Sequence, residues 1–223
     1  MPAQRLPLFP LAVVLFPGTP LPLHIFEPRY RRMLADCLAG DRKFGITPTG
    51  AEREQPDAGA VGCTAEVRVN QELSDGRSNI VVLGGTRFVV RRELVEDVPY
   101  HVGLVEPFDD EPGTDPPADA VGRLREEFSG YHGALRQLHD LTPEETSLPE
   151  EPKALSFHVS AAAECDPGVK QRLLAERSTA RRVEALLLLL PILRSGVESG
   201  LRVHRRAHGN GRGHGQPELL GDV

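Results

Sequence analysis

The hydrophobic pattern of this chain changes its period twice. From Leu6 to Phe26 apolar residues run almost without a break, LPLFPLAVVLFPGTPLPLHIF, yet prolines recur throughout. Proline fixes φ and donates no hydrogen bond, so such a run belongs to edge strands, strand starts and turns, not to a helix. Residues 13–16 are expected as a short strand, Pro17-Gly18 as a turn, and residues 21–26 as a second extended stretch. At Glu27-Pro28 the spacing becomes helical. Proline suits the first helical position, and Glu27 places negative charge at the positive end of the helix dipole. Tyr30, Met33, Leu34, Cys37 and Leu38 then share one face, and Gly40 is placed to end the helix.

Beyond Gly40 the period becomes two. Residues 44–47 read as a short strand. In 61–73, Cys63, Ala65, Val67 and Val69 alternate with Thr64, Glu66, Arg68 and Asn70, as in a half-buried strand. Ser74-Asp75-Gly76 is a hairpin turn, with 79–83 as the return strand. Gly84-Gly85 predicts a bulge or bend before 86–91, and 100–108 supplies another strand. Short strands, glycine bends and a single helix predict a small curled sheet or pseudo-barrel.

The segment DDEPGTDPPAD, residues 109–119, is acidic and proline-rich, with Ala118 its one apolar residue. It reads as a domain boundary. After it the period is helical again. Val121, Leu124, Phe128, Tyr131, Leu135 and Leu138 form one stripe. A helix over 151–163 opens with Pro152, and Asp166-Pro167 caps a third containing Val169, Leu173 and Leu174. Ser178 caps a fourth through Leu186 to Leu193, with Pro191 as a kink or stop. The expected organisation is a β-rich domain over 1–108, a linker over 109–118, a helical domain over 119–195, and a tail without regular structure over 196–223.

Composition narrows the function. A chain of 223 residues with 39% apolar content has enough to bury a core. Its net charge of −6 and lack of tryptophan disfavour nucleic-acid binding, although Arg202, Arg205, Arg206 and Arg212 make the tail locally basic. Cys37, Cys63 and Cys165 are far apart, without CxxC spacing, so buried thiols in a reduced, cytoplasmic protein are expected over disulfides or zinc. The most apolar window, 185–193, is too short to span a bilayer. No G-x-S-x-G, H-E-x-x-H or acidic calcium loop occurs, and the three lysines read as solvated. No catalysis, cofactor or metal is expected.

The opening LPLFPLAVVLFPGTPLPLHIFEPRYRRML resembles the start of the substrate-binding amino-terminal domain of Lon proteases. VGCTA at 61–65, GTRF at 85–88, KQRLL at 170–174 and RRVE at 181–184 continue the likeness, which covers roughly residues 6–193. The resemblance implies an α+β fold: a β-rich PUA-like pseudo-barrel followed by a C-terminal helical bundle. The P-loop G-x-x-x-x-G-K-[ST] of the family's ATPase is missing, and 223 residues leave no room for its protease domain, so a free-standing, non-catalytic module is expected. Its partners would be unfolded or specific protein segments, with a protease acting in trans; the alternative is a PUA-like RNA binder. Candidate contacts are Leu23, Phe26, Glu27, Arg29, Tyr30, Arg87 and Phe88. For Glu27, Arg29 and Tyr30 a helix-start role competes with the binding role and is favoured. Phe88 reads as core, and Arg87 as the partner of an acidic group or a surface contact. Strand alternation buries only one face of 21–26, leaving an apolar face for a peptide or for the helical half to cover.

Overall fold

A computed structural model of the chain describes residues 3–49, 56–142 and 147–210. The strands are β1 (Gln4–Leu11), β2 (Pro20–Ile25), β3 (Lys43–Pro48), β4 (Val61–Glu72), β5 (Ser78–Leu94) and β6 (His101–Pro107), with helix α1 (Pro28–Ala39) after β2. Their order is β2-β5-β4-β3-β1-β6, and β6 also pairs with β5, which closes a ring. Only β1 and β3 run parallel; the other pairs are antiparallel.

The length of β5 makes the closure possible. Its first part, Ser78 to Leu83, holds β2, and from Phe88 onward it holds β6. Between them, at Gly84, a Cβ would lie 2.0 Å from the Phe16 carbonyl oxygen, so no side chain fits there. The expected glycine bend is where the strand changes partner.

The apolar opening run is accounted for by burial on both faces of β1. Leu6 and Leu8 pack with Phe88, Val90 and Val105, while Phe9 joins the core beneath α1 with Tyr30, Met33, Phe44 and Ile46. The expected strand at 13–16 does not form. Residues 12–19 are instead a strap held at its turn. Thr19 N–H donates to the Phe16 carbonyl at 3.2 Å across Pro17-Gly18, Gly18 has φ +73°, and its N–H donates to Gly84 O at 2.8 Å. Proline then glycine is what a type II turn requires. Leu15 and Phe16 are buried in two different cores, one on the barrel side and one among the helices.

β2 is an edge strand. Gly84 N donates to Thr19 O, which sets the phase of the ladder, so Leu21, Leu23 and Ile25 turn their N–H groups toward β5. The outward positions are 20, 22 and 24, and two of them are proline. Two of the edge's outward donors are thereby missing, which disfavours strand addition.

The helices are α2 (Ala118–Leu138), α3 (Pro152–Ala162), α4 (Pro167–Ala175) and α5 (Thr179–Asn210). Asp166 caps α4 through Gly168 N, and Ser178 Oγ accepts from Arg181 N. Leu124, Phe128, Leu155, Phe157, Leu173, Leu186 and Leu190 form their core, joined from the barrel side by Phe16 and Val61. Of the two roles expected for Pro191, kink or stop, the stop does not occur, and α5 continues as helix from 196 to Asn210 where no regular structure was expected. Proline removes one hydrogen bond of the ladder, and the packing of Leu186 and Leu190 on one side with Val197 on the other carries the helix across it. The remainder of the expected tail, 211–223, lies outside the described residues.

Candidate functional site

Two regions between the β half and the helices bear on function. One is ionic and buried; the other is apolar and open.

The ionic region is built from Arg87 on β5, Asp110 and Arg182 on α5. Their side chains are 2%, 8% and 0% exposed. Arg87 Nη2 binds Asp110 Oδ1, and Arg182 Nη2 donates to Asp110 Oδ2 at 2.7 Å. Thr179 Oγ1 donates to the same oxygen at 2.7 Å. Two guanidinium groups share one carboxylate, and backbone oxygens at the C-terminal end of α4 meet the surplus charge. Arg87 Nη1 donates to Leu174 O at 2.6 Å and Glu176 O at 2.7 Å, and Arg182 Nη1 donates to Glu176 O at 2.7 Å. That end of a helix carries the negative pole of its dipole. The ring of Phe157 lies 4.0 Å from the Arg182 guanidinium and 5.1 Å from that of Arg87. Burial pushes the Asp110 carboxyl up, but hydrogen bonds from Arg182 and Thr179 and the charges of both arginines outweigh it, leaving the pKa below its ordinary 3.8. Burial weakens the charged form of Arg87, with Asp110 pulling the other way. A guanidinium nonetheless stays charged wherever proteins fold.

Asp110 was expected in a solvated linker. Instead 109–114 docks on the α4–α5 connection: Glu111 N donates to Arg177 O and Ala180 N to Thr114 O. Composition marks the segment as polar, but two buried cations require one of its carboxylates inside.

The apolar region is a groove of about 260 Å³. Its barrel wall is the strap and the start of β2, with Val13, Val14, Leu15 and Leu21. Its helical wall is Ala161, Cys165, Pro167 and Lys170. Lys170 Nζ donates to Ala161 O at 2.8 Å, which satisfies a carbonyl at the end of α3. Burial raises the Cys165 thiol pKa, against the charge of Lys170, so the thiol is protonated.

Of the residues singled out from sequence, Phe26 is the exposed one, at 58%. It stacks on His24, whose Nδ1 lies 2.7 Å from Asn79 Oδ1. Leu23 is half-buried on β2 and lines a shallow depression with Pro22, His24, Val69 and Val81. Glu27 stands at the start of α1 without a side-chain cap and pairs with Arg29 at 2.9 Å. Tyr30 is buried against Phe9, with the Arg29 guanidinium 4.6 Å from its ring. Phe88 is core. Arg87 belongs to the ionic node. Tyr30, Arg87 and Phe88 therefore support the fold and offer no accessible surface. The groove-lining residues went unread from periodicity, because strap and helices meet only in the folded chain. One of them, Lys170, falls within the likeness, as does Arg182 of the ionic node.

Among the described residues no group of acidic, histidine or cysteine side chains is arranged to hold a metal, and no helix is long and apolar enough to cross a membrane.

A closed β ring with one helix on it, joined to a helical bundle, is an α+β module built around a seam. The chain belongs to the family of the ATP-dependent protease La (LON) substrate-binding domain, which matches residues 5–191. A Lon N-terminal domain protein from Xanthomonas campestris is similar in structure, with TM-score 0.61 and 25% identity, over 83% of this chain and 98% of that one. The N-terminal domain of a Mycobacterium avium complex Lon protease shares the fold, with TM-score 0.62 at 14% identity over 84% and 98%. A Lon protease of Cytophaga hutchinsonii is 32% identical over 100 residues, which are 43% of this chain and 12% of that protein. The chain thus spans a small fraction of that relative's length.

Proposed function

We propose that this chain is a non-catalytic recognition module that binds unfolded or apolar segments of other proteins and presents them to a protease, carried on the same polypeptide or on another. The observation that carries the reading is exposed apolar surface at both ends of β2. Val13, 46% exposed, lines the groove before the strand begins. Beyond its far end Phe26, 58% exposed, stacks on His24, which lines the shallow depression together with Val69, 53% exposed. Isolated exposed apolar residues are ordinary, but exposed ones beside two apolar hollows suit a peptide. Family membership supports the same reading. Three free thiols suit a reducing compartment, the cytoplasm.

The test is fluorescence polarisation of the protein against a labelled, permanently unfolded polypeptide at two salt concentrations. Saturable binding that tolerates salt is expected, and Phe26→Ser should weaken it several-fold while changing stability by less than about 0.5 kcal/mol. Binding indifferent to Phe26 would remove this face from consideration. A parallel titration with single-stranded RNA addresses the alternative: affinity for RNA falling steeply with salt would favour nucleic acid instead.

A further inference from the structure

We infer that the seam groove takes the free carboxyl end of an apolar polypeptide, with Lys170 binding the terminal carboxylate. The inference rests on the polypeptide-binding reading above and names which part of a polypeptide the groove accepts. It follows from three features of the groove.

The first is charge. The lining is Ala12, Val13, Val14, Leu15, Thr19, Pro20 and Leu21 on one wall and Ala161, Cys165, Pro167 and Lys170 on the other, so Lys170 is its one charged member. One proton of the ammonium is committed to Ala161 O, and among the described residues no carboxylate pairs with it. The neighbouring Asp166 does not line the groove, and its Oδ1 accepts from Gly168 N of its own helix at 2.7 Å. A single half-buried cation at the side of an apolar slot complements an apolar residue bearing a single negative charge. A chain terminus has that combination.

The second is the edge. An extended internal segment usually docks on a sheet by adding a strand, with its backbone paired to the edge. Here the outward-facing β2 residue on the groove wall is Pro20, which has no donor to offer an added strand. An internal segment could not continue pairing from the strap onto β2 at that point, and a carbonyl left there without a donor is costly where water is excluded. A terminus entering end-on leaves most of its backbone in solvent.

The third is size. About 260 Å³ is below the range of roughly 300–1,000 Å³ typical of ligand sites. It accommodates a short terminal stub and not a long internal stretch.

Cys165 provides a readout at the site itself, because it is half-buried in the groove wall whereas Cys37 and Cys63 are buried. The experiment uses the full chain and a short labelled peptide ending Val-Leu-Val, once as the free acid and once as the C-terminal amide. The acid is expected to bind about tenfold more tightly, in keeping with a charge-assisted hydrogen bond. Lys170→Gln should abolish that preference, and Lys170→Arg should keep it. The acid should also slow maleimide labelling of Cys165, and the amide at the same concentration should not. Equal binding of acid and amide, a preference that survives Lys170→Gln, or acid binding that leaves Cys165 labelling unchanged would each overturn the inference. Equal binding of the two peptides would leave the broader polypeptide reading standing. Failure of both peptides and of the unfolded polypeptide would overturn both.

Discussion

Inside the barrel, Phe44, Cys63, Val67, Ile80 and Val82 pack together beneath α1 as a core of apolar side chains and buried thiol. At the seam, Arg87, Asp110 and Arg182 are just as deeply buried, but as a charged node that draws on Thr179, Ser156 and three carbonyl contacts. The two regions hold the molecule by different means. An apolar core is tolerant: its energy scales with area, and neighbouring side chains share a loss. A buried ionic node is brittle, since desolvation of each charge is offset only while every partner is in place. The seam also joins three segments distant in sequence, β5, the 109–114 stretch and α5, so its geometry fixes how the barrel meets the helices. The groove depends on that geometry, because one of its walls comes from each side.

Removing the shared carboxylate has the largest expected effect. Asp110→Ala leaves two buried guanidinium groups without a counter-charge, and breaking such a pair costs about 3–5 kcal/mol. Denaturant unfolding should show a lower midpoint at unchanged slope. A loss under about 1 kcal/mol would mean that water relieves the node. Replacing the whole group, Arg87→Met with Asp110→Leu and Arg182→Met, should recover most of the stability, because apolar residues of similar size need no counter-charge. If the triple variant is as weak as the single one, shape and not charge holds the seam.

Acid should act in the same direction. The folded pKa of Asp110 lies below its ordinary 3.8, so the unfolded chain takes up the proton first as pH falls. The stabilisation is fully present above the unfolded value and is lost progressively from about pH 4 downward, through the lower folded value. The measurement is the acid unfolding curve of the parent beside that of Asp110→Ala. The parent should lose stability more steeply below about pH 4, and parallel curves would show that the node is not the acid-sensitive element.

The smallest effect is expected in the barrel. Ile80→Val removes one methylene from the apolar core and should cost about 0.5–1.5 kcal/mol. The cost should be the same at neutral pH and near pH 4, since no titrating partner is disturbed. A pH-dependent penalty there would blur the distinction between core and seam.

Most of the fold is visible in the one-dimensional pattern. The period-two run over β4, the hairpin at Ser74-Asp75-Gly76, the Pro28 start and Gly40 end of α1, and the stripe along α2 are all local features, and from β2 to α4 the elements stand close to where they were expected, whereas β1 lies at Gln4–Leu11, ahead of the strand expected at 13–16. The strap is different. Val13 to Phe16 has the composition of a strand, but Pro17-Gly18 and the contact at Gly84 pull it into a turn, a tertiary constraint on a short apolar run. Pro191 is likewise overruled by the packing on either side of it. At the candidate site the structural role of Tyr30 was legible and the exposure of Phe26 was one of two readings, while the groove was not legible, because its walls lie about 150 residues apart in the chain, at Val13 and Lys170.

The sequence by itself determined most of the strands and helices from β2 to α4, their apolar faces, and that prolines punctuate the edge strand β2. Those properties follow from periodicity and backbone chemistry, which act over a few residues. Only the tertiary structure decided that Asp110 is a buried counter-ion and not a linker residue, and that Lys170 stands at an apolar slot. Burial and charge pairing depend on what comes into contact across the folded chain, and an acidic or basic side chain looks the same in sequence whether its partner is water or a guanidinium from another element.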